Sequence, residues 1–412
     1  MLIGGSALAA ETEFSLLGRY SVVYFGNDWK AENRTSSHHV ATRLARRLPL
    51  LYVDCPGLRA PALTARDLRR SVRKIVEALR GPRQITPQMW HCTLPQIPFR
   101  RHPAVTGLNR SLARYLLIRW IRRLSWNRII SWFVVPHPGF LARQLGEDYV
   151  VYYCTDDYSL LPGVDRASIA SLDQELTRCA DQVFAVSSPL LEAKRAINPA
   201  TAYAPHGVDF DLFATASDPA THPPDEAAHL NHPVIGYFGV LDAKLDIQLL
   251  VSLAEARPQW TFLFVGRTTP EAAALSRFPN VVLVGPQPYD SLPRWASAFD
   301  VAIMPYVRNA QIHCSNPLKL REYLATGKPV VSVPTPEVES LRHCVRTASS
   351  AEEFLAQIED ALERDSPADR RARQAAVAGM SWEARVAEVL AIVEQGLARK
   401  LHVDSVRRAL NL

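Results

Sequence analysis

The sequence predicts an α/β protein built from two parallel-sheet domains, and three observations carry that prediction. The chain has 412 residues, 48% of them apolar, and single hydrophobic cores stop growing near ~250–300 residues. Short apolar runs alternate with segments of helical period along most of its length, the pattern of strands covered by helices on both faces. The alternation breaks over residues 199–233, rich in Pro, His, Asp and Ala, and then restarts. A junction near Pro205 follows. It divides the chain into an extension (1–18), a first domain (19–204), a second domain (205–380) and a helical tail (381–412).

In the first domain, Ser21–Gly26 reads as a strand, Asn27–Thr35 as a polar loop, and Ser36–Arg47 as a helix with Val40, Leu44 and Leu48 nearby on one face. Ser36 or Ser37 is the expected cap. Leu50–Val53 closes this βαβ unit. Residues 66–80 and 110–124 read as basic amphipathic helices, separated by a Pro-rich stretch with a strand near Trp90–Leu94. Strands are expected at Arg128–Val134, Tyr149–Cys154 and Gln182–Val186, and helices after Pro138, at Ala167–Cys179 and after Pro189. In the second domain, residues 218–233 read as a surface loop. Strands follow at Val234–Gly239, Thr261–Val265, Val281–Val284, Val301–Met304 and Pro329–Val333. Helices are expected at Ile247–Ala256, Leu292–Ala298 and Leu318–Thr326, the last ended by Gly327. From Ser381 onward, Trp382, Val386, Leu390 and Ile392 give the tail an apolar face whose partner spacing does not reveal.

Residues 1–130 hold 22 Lys and Arg against 7 Asp and Glu, and the rest of the chain 25 against 34. A basic front half suits an anionic partner, and charge alone does not choose among nucleotide phosphates, polyphosphate lipids, an anionic membrane and nucleic acid. The six cysteines form no CxxC pair, which removes the spacing argument for zinc. The start of the chain has no basic region before its short apolar run, and no run of ~18–20 apolar residues exists. These features point to a cytoplasmic protein, with peripheral contact at the inner face of the plasma membrane open.

Several segments of the second half are specific. They are PHGVDFDLF (Pro205–Phe213), IGYFGVLDAKLDIQLL (Ile235–Leu250), FLFVGR (Phe262–Arg267), NVVLVGPQPYDSLPRWASAFDVAIMPY (Asn280–Tyr306) and, above all, NPLKLREYLATGKPVVS (Asn316–Ser332). With SWEARVAEVL (Ser381–Leu390), they resemble the GT-B glycosyltransferases of the retaining family 4 type. The similarity is greatest to branches for capsular, exopolysaccharide or teichuronic acid synthesis. It covers about residues 20–395 and is looser in the first half. It implies two Rossmann-like domains facing a central cleft. It also implies transfer of a sugar from a nucleoside diphosphate sugar to a hydroxyl of a glycan, glycolipid or lipid-linked acceptor. The alternatives are a GT-B epimerase or hydrolase of the same donors, or a catalytically inactive scaffold relative.

By that resemblance, Glu322 accepts the two hydroxyls of the donor ribose. Asn316, Leu318, Lys319 and Leu320 open its helix, where unmet N–H groups and the helix dipole favour phosphate. Lys319 adds a point charge, with an i,i+3 pair to Glu322 as the plain alternative. Gly239 and Lys244 stand where relatives hold the diphosphate, and Arg267 where they meet base or phosphate. His137, past the strand ending at Val134, takes the place of a histidine facing the donor sugar. His137, Lys244 and Glu322 are thus the catalytic candidates. Asp28, Arg34, Ser37, His38 and Asp157 are the acceptor-side candidates. The family's usual Glu-x7-Glu has Cys314 at its first position here. Asp209 and Asp211 spell DFD in the linker and read as loop polarity. The resemblance implies no bound cofactor and no metal, the nucleotide sugar being co-substrate. Residues 66–80 and 110–124, the latter with Leu112, Tyr115, Leu116, Ile118, Trp120 and five Arg, are candidates to lie on an anionic membrane. No nucleic-acid recognition motif is present.

Overall fold

The computed structural model describes residues 16–31, 34–55, 80–94 and 103–409. The basic helix expected over 66–80 lies outside them except for Arg80.

Eight strands form the first sheet: β1 (Ser21–Gly26), β2 (Leu50–Asp54), β3 (Arg83–Thr86), β4 (Met89–Thr93), β5 (Ile129–Phe133), β6 (Tyr149–Cys154), β7 (Gln182–Ala185) and β8 (Thr201–Tyr203). Their order is β3-β4-β2-β1-β5-β6-β7-β8, parallel except for β3 against β4. Strands β1, β2, β5, β6 and β7 are buried at every position, as continuous apolar runs require in a sheet covered on both faces. The sequence predicts one strand near Trp90–Leu94, whereas the structure makes a hairpin there. The added strand β3 is exposed at all four positions, so burial leaves no apolar signature in it.

The second sheet contains β9 (Val234–Phe238), β10 (Thr261–Val265), β11 (Val281–Gly285), β12 (Val301–Met304), β13 (Val330–Ser332) and β14 (Arg346–Thr347). Its order is β11-β10-β9-β12-β13-β14, parallel throughout. Helices Ala351–Arg364 and Pro367–Ala378 complete the domain and are additions to the predicted elements. The expected loop 218–233 contains one helical turn, Asp225–Ala228, which buries Ala227.

Each sheet has its own core. One runs from Leu17 to Ala204 and the other from Val208 to Val377. The tail is the helix Trp382–Ala409, and its buried face (Trp382, Val386, Val389, Leu390, Val393, Leu397) belongs to the first core. The chain therefore crosses between the domains twice, side by side. The Val208 amide donates to the Met380 carbonyl at 2.9 Å, and the Trp382 amide to the Val208 carbonyl at 3.3 Å.

The second basic helix runs from Pro103 to Arg123, earlier than the expected 110–124, since proline suits a helix start. Leu116 and Trp120, two of the candidates for membrane contact, lie in the core with Ala113, Leu117 and Ile121. Leu112 and Ile118 pack against that core half-buried. The outward side keeps Tyr115, 61% exposed, Leu108, 56% exposed, and Arg119, Arg122 and Arg123. Arg110 and Arg114 are tied down, over the Phe140 ring and to the Gln144 carbonyl. No helix among the described residues is long and apolar enough to cross a membrane.

Candidate functional site

The strands β9 and β10 end in two glycines that pack backbone to backbone. Gly239 has φ +134° and Gly266 φ +151°, both in the region that favours glycine. A Cβ on Gly266 would lie 1.9 Å from the Gly239 carbonyl oxygen. The bare Gly239 leaves room for one side chain, Lys319: a Cβ there would lie 2.6 Å from its Nζ. The Lys319 amine sits 5.4 Å above the Tyr237 ring. Burial pushes its pKa down, with Glu322 and Asp242 pulling the other way. The helix Leu318–Thr326 is pinned in this register because the Phe238 amide donates to the Tyr323 hydroxyl at 2.9 Å. Leu320 is wholly buried in the second core, while Leu318 packs against the first. The start of this helix thus lies where the domains meet.

Glu322, one turn after Lys319, is 6% exposed but not in apolar surroundings. Its Oε1 accepts a hydrogen bond from the Tyr289 hydroxyl at 3.1 Å. Burial raises its pKa from 4.5 to about 7, opposed by Lys319. Tyr289 reaches across to the first domain. Its ring meets His39 edge-on at 5.2 Å, and the Arg34 guanidinium lies 5.7 Å above it. Asp209 closes the cluster. It takes an ion pair from Arg43 and lies 3.4 Å from His39 Nδ1. Asp209 is therefore an interdomain anchor, which corrects its reading as loop polarity. Nothing in the linker's own sequence signals this, because its partners are 166 and 170 residues away. Tyr289 is likewise absent from the sequence-derived candidates.

Asn316 sits beside these groups but is fully engaged elsewhere. Its amide donates to the Val186 carbonyl and to Glu337 Oε2 at 3.0 Å, and its carbonyl accepts from Arg321. Arg321 and Glu337 extend this buried network, the exposed Tyr203 donates its hydroxyl to Glu337, and the Ser188 amide donates to Glu337. Asn316 thus joins the two domains, leaving no side-chain group for phosphate. Lys244 is half-buried and near Asp156, whose pKa burial raises against the opposing charge of Lys244. Asp156 follows β6 of the first domain, so the strand ends of both sheets face each other here. Gln311 stands beside Asp156 as well. Arg267 is exposed after β10, and its carbonyl accepts the Leu241 amide.

On the first domain's side, the helix Ser36–Leu44 is capped by Thr35, not by Ser36 or Ser37. The Thr35 amide donates to His38 Nδ1 at 3.1 Å, which leaves Nε2 as donor to the Asp28 carbonyl at 3.2 Å. The His38 ring is consumed in holding this loop, and burial lowers its pKa. Ser37 is buried, with its hydroxyl 3.1 Å from that of Tyr52. The sequence groups Asp28, Arg34, Ser37 and His38 together. The structure exposes Asp28 and Arg34 and makes Ser37 and His38 supports beneath them. Asp157 accepts from the Ser159 amide and hydroxyl, turning the chain after β6. His137 lies half-buried in the turn after β5, where the Gly139 amide donates to the Pro136 carbonyl. Cys314 is half-buried, and its carbonyl accepts the Ser187 hydroxyl. Among the described residues, no group of three His, Cys, Asp or Glu side chains is placed to hold a metal ion.

Two parallel α/β domains whose strand ends face each other define the GT-B architecture. Residues 232–364 match the family described as glycosyl transferases group 1. The chain is 28% identical over 237 residues to a Bacillus subtilis (strain 168) protein, TuaH, named as a teichuronic acid biosynthesis glycosyltransferase. That match spans 52% of this chain and 58% of the relative's length. The fold is similar to sucrose-phosphate synthase from Thermosynechococcus elongatus, with a TM-score of 0.66, 17% identity, and coverage of 92% of this chain and 99% of that one. It is also similar to Anabaena HepE in complex with UDP and glucose, with a TM-score of 0.61, 15% identity, and coverage of 90% and 99%.

Proposed function

We propose that this protein transfers a sugar from a nucleoside diphosphate sugar to a hydroxyl of a glycan, glycolipid or lipid-linked acceptor, with retention at the anomeric carbon. The observation that carries the reading is the placing of Lys319 against Gly239 with Glu322 one turn on, at the meeting of the two domains. The HepE structure holds UDP and glucose, and an Escherichia coli trehalose-6-phosphate protein of similar fold is bound with UDP-2-fluoro glucose. Both support a nucleotide-sugar donor.

In this reading the diphosphate rests on the Leu318 and Lys319 amides, near the Lys319 amine, with Lys244 opposite. Departure of the diphosphate builds negative charge on its terminal oxygen, and cations already in place lower that barrier. Glu322 receives the ribose hydroxyls as a carboxylate, displacing Tyr289 from it. His137 and Asp156 approach the sugar from the first domain. These residues supply the charge stabilisation themselves, and no resident metal is assigned a part.

Nucleotide release from a panel of nucleotide sugars, with and without hydroxyl acceptors, tests the reading. Release that needs an acceptor is expected. Release at the same rate without one indicates a hydrolase, and no release from any donor rejects the proposal. Product NMR reports the anomeric outcome, and inversion overturns retention.

We assign the outer side of helix Pro103–Arg123 to an anionic membrane surface, on Leu108, Tyr115, Arg119 and Arg122. Basic residues flanking exposed apolar ones suit an interfacial helix. Replacing Arg119, Arg122 and Arg123 by Gln should cut co-sedimentation with vesicles containing phosphatidylglycerol by several-fold. An unchanged bound fraction removes the assignment.

A further inference from the structure

A cavity of about 640 Å³ opens in the first domain between the edge hairpin and the loop after β1. That volume is in the range of small-molecule sites. Trp29 and Lys30 come to it from the loop, Arg80 and Arg83 from the start of the hairpin, and Ile85 and His91 from its two strands. Among the described residues, no Asp or Glu lines it.

The carboxylate beneath it is already engaged. Asp54 accepts the Trp29 amide at 2.8 Å, His91 Nε2 at 2.8 Å and the Thr93 hydroxyl at 3.2 Å. Three donors fix it below the cavity, while Arg80 and Arg83 stand at the mouth. Trp29 is braced from behind by His38 and Tyr52, at 5.3 and 4.9 Å between ring centroids. A braced indole is a platform for the apolar face of a sugar ring, and the cations select what that ring carries.

The cavity is linked to the donor side through one loop. Trp29 and Lys30 line the cavity, and Arg34, a few residues on, lies over Tyr289, the partner of Glu322.

We infer that this cavity binds an anionic group of the acceptor, either the carboxylate of an acidic sugar or a phosphate. In calling that ligand the acceptor, the inference rests on the glycosyltransferase reading. The binding chemistry stands on the cavity alone. Binding weakens as salt rises, because the cations are at an open mouth.

The test is titration calorimetry on the full chain at low salt with three probes. They are trigalacturonate, its carboxyl-reduced neutral counterpart, and geranyl diphosphate. At least one anionic probe is expected to bind about tenfold or more tightly than the neutral trisaccharide, as fixed complementary charge confers. Which one does so identifies carboxylate or phosphate. The double variant Arg80→Gln/Arg83→Gln should lose that preference while keeping the wild-type affinity for UDP. Three results overturn the inference: equal binding of neutral and anionic probes, no binding of either anionic probe, or a preference that survives in the double variant. A wild-type chain that binds UDP but not the anions rejects this cavity alone. One that binds the anions but not UDP rejects the sugar-transfer reading and upholds the cavity.

Discussion

Glu322 is held away from its preferred protonation state. Burial raises its pKa from 4.5 to about 7, so folding favours the protonated acid. That contribution to stability is complete below the unfolded value and is lost as pH rises through about 7. At pH 8 the ligand-free protein then carries a penalty of about 3 kcal/mol from this one side chain. Glu322→Gln keeps an acceptor for Tyr289 and removes the ionisation. Thermal unfolding should show the variant gaining stability over wild type between pH 5 and 8. A difference that stays flat with pH means the group is not perturbed. At this scale the sequence was readable where chemistry is written into a local motif. Lys319, Glu322 and Gly239 are neighbours in space because a strand end and a helix start are brought together by the fold type itself. Tyr289, Asp209 and Asp156 were not readable as a group. Their roles depend on partners from the other domain, and no spacing in the chain encodes that meeting. Ser37 and His38 misled in the opposite way, being polar and near the site but spent on Tyr52 and on the loop.

Among the elements, the strands were legible and the edges were not. Runs such as Ser21–Gly26 and Val301–Met304 are buried on both faces and announce themselves by apolar continuity. Strand β3 (RQIT) is exposed throughout, so only its pairing with β4 makes it a strand. The tail helix was legible as amphipathic, while its docking on the first core was not, since an apolar stripe does not name its partner. The crossing that places it is tight. A Cβ on Gly207 would come within 2.8 Å of the Trp382 backbone, and backbone does not yield as a flexible side chain does. Gly207→Ala should lower stability by about 1–3 kcal/mol in urea unfolding. A midpoint within error of wild type would show that the two crossings are not in fixed contact.

Across the whole molecule, the domains are joined by buried polar groups as well as by chain. His39 stacks on Trp382 at 4.8 Å, His206 lies 5.8 Å from the same ring, and Arg43 bridges Asp209 and Glu383. Burial, with neighbouring arginines, lowers the pKa of both histidines to about 3. A depressed folded pKa gives stability that is present above the unfolded value, near 6.5. It is lost as pH falls toward 3. The junction should therefore loosen in acid before either sheet unfolds. Hydrogen exchange at pH 4.5 against pH 7 should show protection lost first around residues 36–44, 206–209 and 381–386. Protection lost uniformly would contradict this.

The account depends most on the second domain gripping a nucleoside diphosphate at the helix that carries Glu322. Calorimetric titration of UDP into wild type and into folded Glu322→Ala measures that directly. Wild type is expected to bind, and the variant to bind at least about tenfold more weakly, as loss of charge-assisted hydrogen bonds entails. Equal affinity in the two proteins, or no binding by wild type, would contradict it.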